Sequence, residues 1–177
     1  MPQHKFITKQ LIDKGWSEDK KYCLTDEQGK RFLLRVSPIE QYDRKKSEYE
    51  LMSQVATLGV PMCKPLEFGT SDEGVYSIQT WIDGVDVEEN VHNLTCEEQY
   101  SYGFEAGRIL KEIHKIPAPK GIEDWEIYFN RKADRKIKMY EECPIKYENG
   151  QAFIDYINAH RYLLSGRPRT EIIISAI

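Results

Sequence analysis

The sequence predicts an α+β protein of two lobes, a mixed first half followed by a second half that is all helix. Three observations carry that reading. Two alternating apolar–polar stretches, each broken by a turn signal, flank one long amphipathic segment, which is the pattern of hairpin, helix and hairpin. After Asp83-Gly84 the apolar residues recur only at helical spacing. The composition is that of a soluble globular chain with enough length to bury a core: 177 residues, 40% hydrophobic and 31% charged.

In chain order, Phe6, Ile7 and Leu11 are spaced as a first helix ending near Gly15. Tyr22 and Leu24 then alternate with polar residues, DEQG supplies a turn, and KRFLLRVS follows as a strand, giving a first hairpin. Ser37-Pro38 opens a helix that Gly59 closes. PLEFG and VYSIQTWI, joined by TSDEG, form a second hairpin. Beyond Gly84, Thr95 and Glu98 make a capping box for a long helix through His114. On it Gly103, Gly107, Leu110 and His114 share a stripe that permits close helix approach. A further helix places Phe129, Ala133, Ile137 and Tyr140 on one face, and the last runs through Phe153, Tyr156, Ile157 and Leu164 to SGRP. The lobes are therefore expected at 1–83 and 84–168.

Charge and cysteine usage exclude several classes. A net charge of −4 and a pI near 5.7 show no basic excess of the kind that nucleic-acid binding needs. No apolar run has membrane-spanning length, and MPQHKFITKQLIDKG carries charges throughout with no hydrophobic signal region. Cys23, Cys63, Cys96 and Cys143 are widely spaced, which reads as reduced thiols in a cytoplasmic protein. His114 ends an apolar stripe and reads as a packed histidine. RKADRKIK surrounds the Phe129–Ile137 stripe and reads as a solvated helix face. His4, His92 and His160 form no metal spacing, and no Ser-His-Asp or Cys-His arrangement stands out.

The residues that carry chemistry lie on the second strand and the helix after it. Period-two alternation puts Phe32, Leu34 and Val36 on one face of RFLLRVS, and Leu33 with Arg35 on the other. On the helix, Glu48 falls with Leu51, Met52 and Val55, the apolar stripe, while Glu50 falls with polar neighbours and is solvated. A carboxylate turned toward the core is costly unless a cation meets it, and Arg35 is the expected partner. Protein kinases use a strand cation and a helix carboxylate to grip the α/β-phosphates of ATP. A structural ion pair between sheet and helix accounts for the same residues. GWSEDKKY, with the Ser17 hydroxyl, either covers phosphates or is a plain turn; there is no G-x-G-x-x-G and no Walker A.

RFLLRVS, SEYELMSQVATLGVPMCKPLEFG and VYSIQTWIDG together resemble the N-terminal lobe of aminoglycoside phosphotransferases, small-molecule kinases of protein-kinase-like fold. LTCEEQYSYGFEAGRILKEIHKIPAP and GQAFIDYINAHRYLLSGRP are similar to the start of their helical C-terminal lobe. The resemblance implies that Arg35 stands where the family usually has its ATP-binding lysine, with Glu48 as its helix partner. It implies that Leu33 roofs the adenine, and that Gln79, Thr80, Trp81 and Ile82 form the hinge to the base. Ser17 and its neighbours become the nucleotide-covering loop. The implied cofactor is ATP, or GTP, with magnesium, and the acceptor is a small hydroxylated molecule.

The chain departs from that pattern after Pro168. The family continues with a strand, an H-G-D-x-x-x-x-N catalytic loop and a later metal-binding aspartate, whereas no His-Gly-Asp occurs in this sequence. The expectation is an incomplete C-terminal lobe with a non-native tail at 169–177. Neither catalytic residues nor magnesium ligands are then expected, and the chain alone would be inactive. The alternatives are a non-catalytic nucleotide-binding module, or an interaction protein that uses exposed helical faces to recruit a partner or to self-associate.

Overall fold

The computed structural model describes residues 5–14 and 17–167. The architecture is α+β, as the sequence predicts, with five antiparallel strands and a set of helices. The chain divides into two compact units, one up to Ile113 and one from His114 on.

The first unit is built on strands β1 (Phe6–Ile12), β2 (Lys20–Asp26), β3 (Arg31–Ser37), β4 (Pro65–Ser71) and β5 (Gly74–Thr80), in the order β1-β2-β3-β5-β4. Helix α1 (Tyr42–Ala56) connects β3 to β4. The segment expected as a first helix is strand β1. Its seven residues make under two helical turns, and Ile7, Thr8 and Ile12 carry branched side chains that suit a pleated surface. Pairing with β2, Leu11 opposite Tyr22, places the Phe6 ring 5.5 Å from Phe32 in an edge-to-face contact. That gain comes from a partner strand, which local spacing does not register.

Leu24, Phe32 and Ile78 meet on one face of the sheet, 4%, 0% and 4% exposed, with Phe6, Tyr22, Leu34 and Tyr76 packed around them. Each such buried side chain contributes roughly 2 kcal/mol from area removed from water. The opposite face carries Leu33, Arg35 and Ser37, register partners of Gln79, Ser77 and Val75 on β5. Helix α1 packs on this face, burying Val55, and the Phe68 ring of β4 lies 5.3 Å from Tyr49 and 5.5 Å from Tyr42. Gly74 turns the second hairpin at φ +127°, and a Cβ there would lie 2.2 Å from the Ser37 carbonyl oxygen. Only glycine fits that approach.

After β5 the first unit continues with a short helix α2 (Val87–Asn90), which the sequence did not suggest. The Asp86 carboxylate caps it, accepting from the Glu88 amide at 2.9 Å. The expected capping box opens α3 (Cys96–Ile113): the Thr95 amide donates to Glu98 at 2.8 Å, and the Glu98 amide donates to the Thr95 hydroxyl at 3.2 Å. Most of α3 is solvent-facing, with Tyr100 75% and Phe104 67% exposed, and the space beside Gly103 and Gly107 is open.

The second unit holds α4 (Trp125–Glu142), capped by Asp124, and α5 (Gly150–Ala159). The helix expected to reach Leu164 ends at Ala159, and a 3-10 turn carries Arg161–Leu164. Arg161 fastens that turn to α4, donating to Asn130 at 2.8 Å and to Asp134 at 2.6 Å. The expectation of a non-native tail falls on residues outside those described.

Candidate functional site

A small hollow of about 30 Å³ lies between the α1-facing side of the sheet and α1. Arg35 and Ser37 come from β3, Ser77 and Gln79 from β5, and Lys45 and Glu48 from α1. The α1 residues reach it because Lys45, Glu48, Tyr49 and Met52 follow the i, i+3, i+4, i+7 spacing of one helix stripe. The hollow has room for water, since a cavity of ~10–15 Å³ already admits one.

Arg35 does not meet Glu48 directly. Its guanidinium binds Asp19, through Nε at 3.1 Å and a terminal nitrogen at 2.7 Å, both to Oδ2. Asp19 stands just before β2, and its side chain is 4% exposed. It also accepts from the Ser37 hydroxyl at 2.7 Å and from the Lys45 ammonium at 3.0 Å. Lys45 in turn lies 3.1 Å from Glu48, whose other oxygen takes the Arg44 side chain at 2.9 Å. The order is thus Arg35–Asp19–Lys45–Glu48, a chain of alternating charge with Glu48 at its half-exposed rim. Burial pushes the Asp19 carboxyl upward, but the Ser37 hydroxyl, the Lys45 ammonium and Arg35 outweigh it and hold the group below its ordinary value.

The remaining predicted residues border this network or lie along the strand. Leu33, half-buried, follows the period of Arg35 and pairs with Gln79. The Gln79 side chain is buried, 2% exposed, and lines the hollow. Thr80 is tied to Lys64, its amide donating to the Lys64 carbonyl at 2.9 Å and its hydroxyl accepting from the Lys64 amide at 2.8 Å. Beyond Thr80 the ladder ends, leaving Trp81 and Ile82 outside any strand or helix. The Trp81 indole donates to Asp83 at 3.1 Å, and Arg31 pairs with the same carboxylate while lying 5.4 Å over the indole ring. Ser17 is exposed, next to the residues that lead to Asp19.

A family model described as the phosphotransferase enzyme family, APH, matches residues 9–174. The chain belongs to this family. No curated protein sequence matches the chain. Among solved structures, the chain is similar to APH(2")-IIa in a ternary complex with streptomycin and ATP, at 17% identity and a TM-score of 0.56, covering 88% of this chain and 53% of that one. The gentamicin complex of APH(2")-IIa gives 16% identity and a TM-score of 0.57, covering 90% and 54%. The aminoglycoside-3'-phosphotransferase of type VIII gives 14% and 0.51, covering 90% and 59%. These likenesses show the protein-kinase-like fold, and the chain spans a little over half the length of the structures it matches.

Within the APH fold, the α1-facing side of β3 bears a cation and α1 bears a carboxylate, and both line one hollow. Two residues of the network escape sequence reasoning. Lys45 lies three residues before Glu48, so the stripe that picks out Glu48 also passes through it. In a run of charged residues, however, a lysine reads as solvated surface. Asp19 lies within a turn, where nothing local marks it as the acid that β3 and α1 both use.

Proposed function

We propose that the chain is the nucleotide-binding part of an ATP-dependent phosphotransferase acting on a small hydroxylated molecule. The observation that carries this reading is the convergence of Arg35 and Lys45, 20% and 13% exposed, on one hollow between sheet and helix in an APH-family chain. Two mostly desolvated cations at one place suit a triphosphate, because a low-dielectric wall strengthens their attraction for its oxygens. In this reading Arg35 holds phosphate oxygens, and Glu48 positions the cations from the rim through Lys45. The exposed Ser17 hydroxyl covers the phosphates, Leu33 packs on the base, and the hinge of Gln79, Thr80, Trp81 and Ile82 carries it. The hinge contacts fall to the Trp81 and Ile82 backbone, since Lys64 already engages the Thr80 amide.

The nucleotide proposed for these residues is ATP, with GTP as the alternative. The magnesium that the resemblance implies finds no group of three His, Cys, Asp or Glu suited to a metal among the described residues. With no His-Gly-Asp in the sequence, these 177 residues are proposed to bind nucleotide without transferring phosphate. The structures named above are complexes with streptomycin or gentamicin and an aminoglycoside-3'-phosphotransferase, and a hydroxylated acceptor is carried over here only as a class. The free state of all four cysteines supports a cytoplasmic setting. No helix among the described residues is long and apolar enough to cross a membrane.

Calorimetric titration with ATP tests the reading. Saturable binding is expected, weakened about tenfold or more by Arg35→Ala, since one charge-assisted contact to phosphate is worth ~1.5–3 kcal/mol. Absence of binding, or an affinity unmoved by the substitution, contradicts it. A second reading, self-association through helical faces, is favoured by Tyr102, Phe104, Phe153 and Tyr156, which are between 64% and 67% exposed. Light scattering that shows a clean monomer rejects it.

A further inference from the structure

Lys45 is the less expected of the two cations. A lysine on a solvent-side helix ordinarily extends its ammonium into water. Here the side chain is 13% exposed and the ammonium is turned in, 3.0 Å from Asp19 and 3.1 Å from Glu48. Asp19 meanwhile collects three kinds of donor on two oxygens: the Arg35 guanidinium, the Ser37 hydroxyl and the Lys45 ammonium. That is the donor set a phosphate would take, presented to an internal carboxylate instead. The hollow beside it is small, about 30 Å³, and the Asp19 side chain is part of its lining. Asp19 also precedes the first ladder residue of β2, Lys20, so no strand pairing fixes its backbone.

We propose that Lys45 is a second phosphate-binding cation beside Arg35, and that Asp19 is the internal anion whose place the oligophosphate takes. The inference rests on the nucleotide reading above and adds two residues to it. Without ligand, Asp19 neutralises the two cations and holds β3 and α1 in register. A bound oligophosphate carries more negative charge than one carboxylate and can bridge both cations, so it wins the competition when its oxygens reach the same donors. The Asp19 carboxylate then gives up its contacts with Arg35 and Lys45. A purely structural ion triad would show the same distances but would not compete with phosphate.

The experiment is a calorimetric titration of wild type, Asp19→Asn and Lys45→Gln with inorganic tripolyphosphate, ATP and adenosine, with circular dichroism to verify folding. Lys45→Gln is expected to weaken tripolyphosphate and ATP about tenfold, and Asp19→Asn to tighten both about tenfold, a shift of ~1.4 kcal/mol each. Adenosine is expected to bind all three proteins alike. Tripolyphosphate and ATP affinities that are the same in all three proteins overturn the inference, and adenosine binding then leaves the nucleotide reading standing. Binding of tripolyphosphate that depends on Lys45, without any binding of ATP or adenosine, rejects the nucleotide reading and, with it, the inference as a statement about nucleotide. No binding of any probe to any variant rejects both. Should Asp19→Asn fail to fold, the Lys45→Gln comparison decides alone.

Discussion

Phe32 on β3 is 0% exposed and Phe153 on α5 is 67% exposed, although each sits at the apolar position its element's period dictates. The difference lies in what closes over them. In the sheet, β2 and β5 flank β3 and set Leu24 and Ile78 around Phe32, while β1 adds Phe6. In the helices, Tyr100 and Phe104 of α3, Ile127 of α4 and Tyr156 of α5 are each at least 60% exposed. The strands complete one another's core and so hold Arg35, paired on both sides, in a defined place. The helices leave apolar side chains of this kind open to solvent. Amphipathic spacing therefore specifies an element without specifying that its apolar side is buried.

Substitutions sharpen this contrast. The largest effect is expected from Phe32→Ala, which should cost about 4 kcal/mol in urea unfolding, because the void cannot collapse inside a four-way contact. A loss below about 1 kcal/mol would mean that the sheet core is not the stable part of the molecule. Next comes Asp19. Its folded carboxyl titrates below the unfolded value of about 3.9, so its contribution to stability is complete above that value and fades as pH falls through the folded one. Asp19→Asn should lower neutral-pH stability by up to about 3 kcal/mol, since Arg35 and Lys45 lose their shared counter-charge. Below pH 4 its stability should fall less steeply than that of wild type. Parallel acid limbs in an acid titration followed by circular dichroism would contradict the network. Phe153→Ser should change stability by no more than about 0.5 kcal/mol. The same change should reduce binding of a hydrophobic dye; a large loss of stability instead would show that α5 is packed after all.

What the sequence made legible follows the same division. Alternation in RFLLRVS separated Phe32, Leu34 and Val36 from Leu33 and Arg35, and the two sheet faces keep that separation. Helical spacing likewise distinguished Glu48, which lines the hollow, from Glu50, which is exposed. Both readings depend on period alone, and period survives folding. The partner of Arg35 was not legible, because Asp19 is sixteen residues away and reaches it only through the register that sets Lys21 opposite Arg35. Strand β1 escaped for the same reason: seven residues of mixed propensity take their state from the β2 edge.

The central claim is that nucleotide binds between β3 and α1, within the sheet-bearing unit. Hydrogen–deuterium exchange with and without ATP tests it most directly. The account predicts slower exchange in residues 17–20, in β3, in the first turns of α1 and at 81–83, with α4 and α5 unchanged. Slowing confined to α4 and α5, or no slowing at β3 and α1 at saturating ATP, would contradict it.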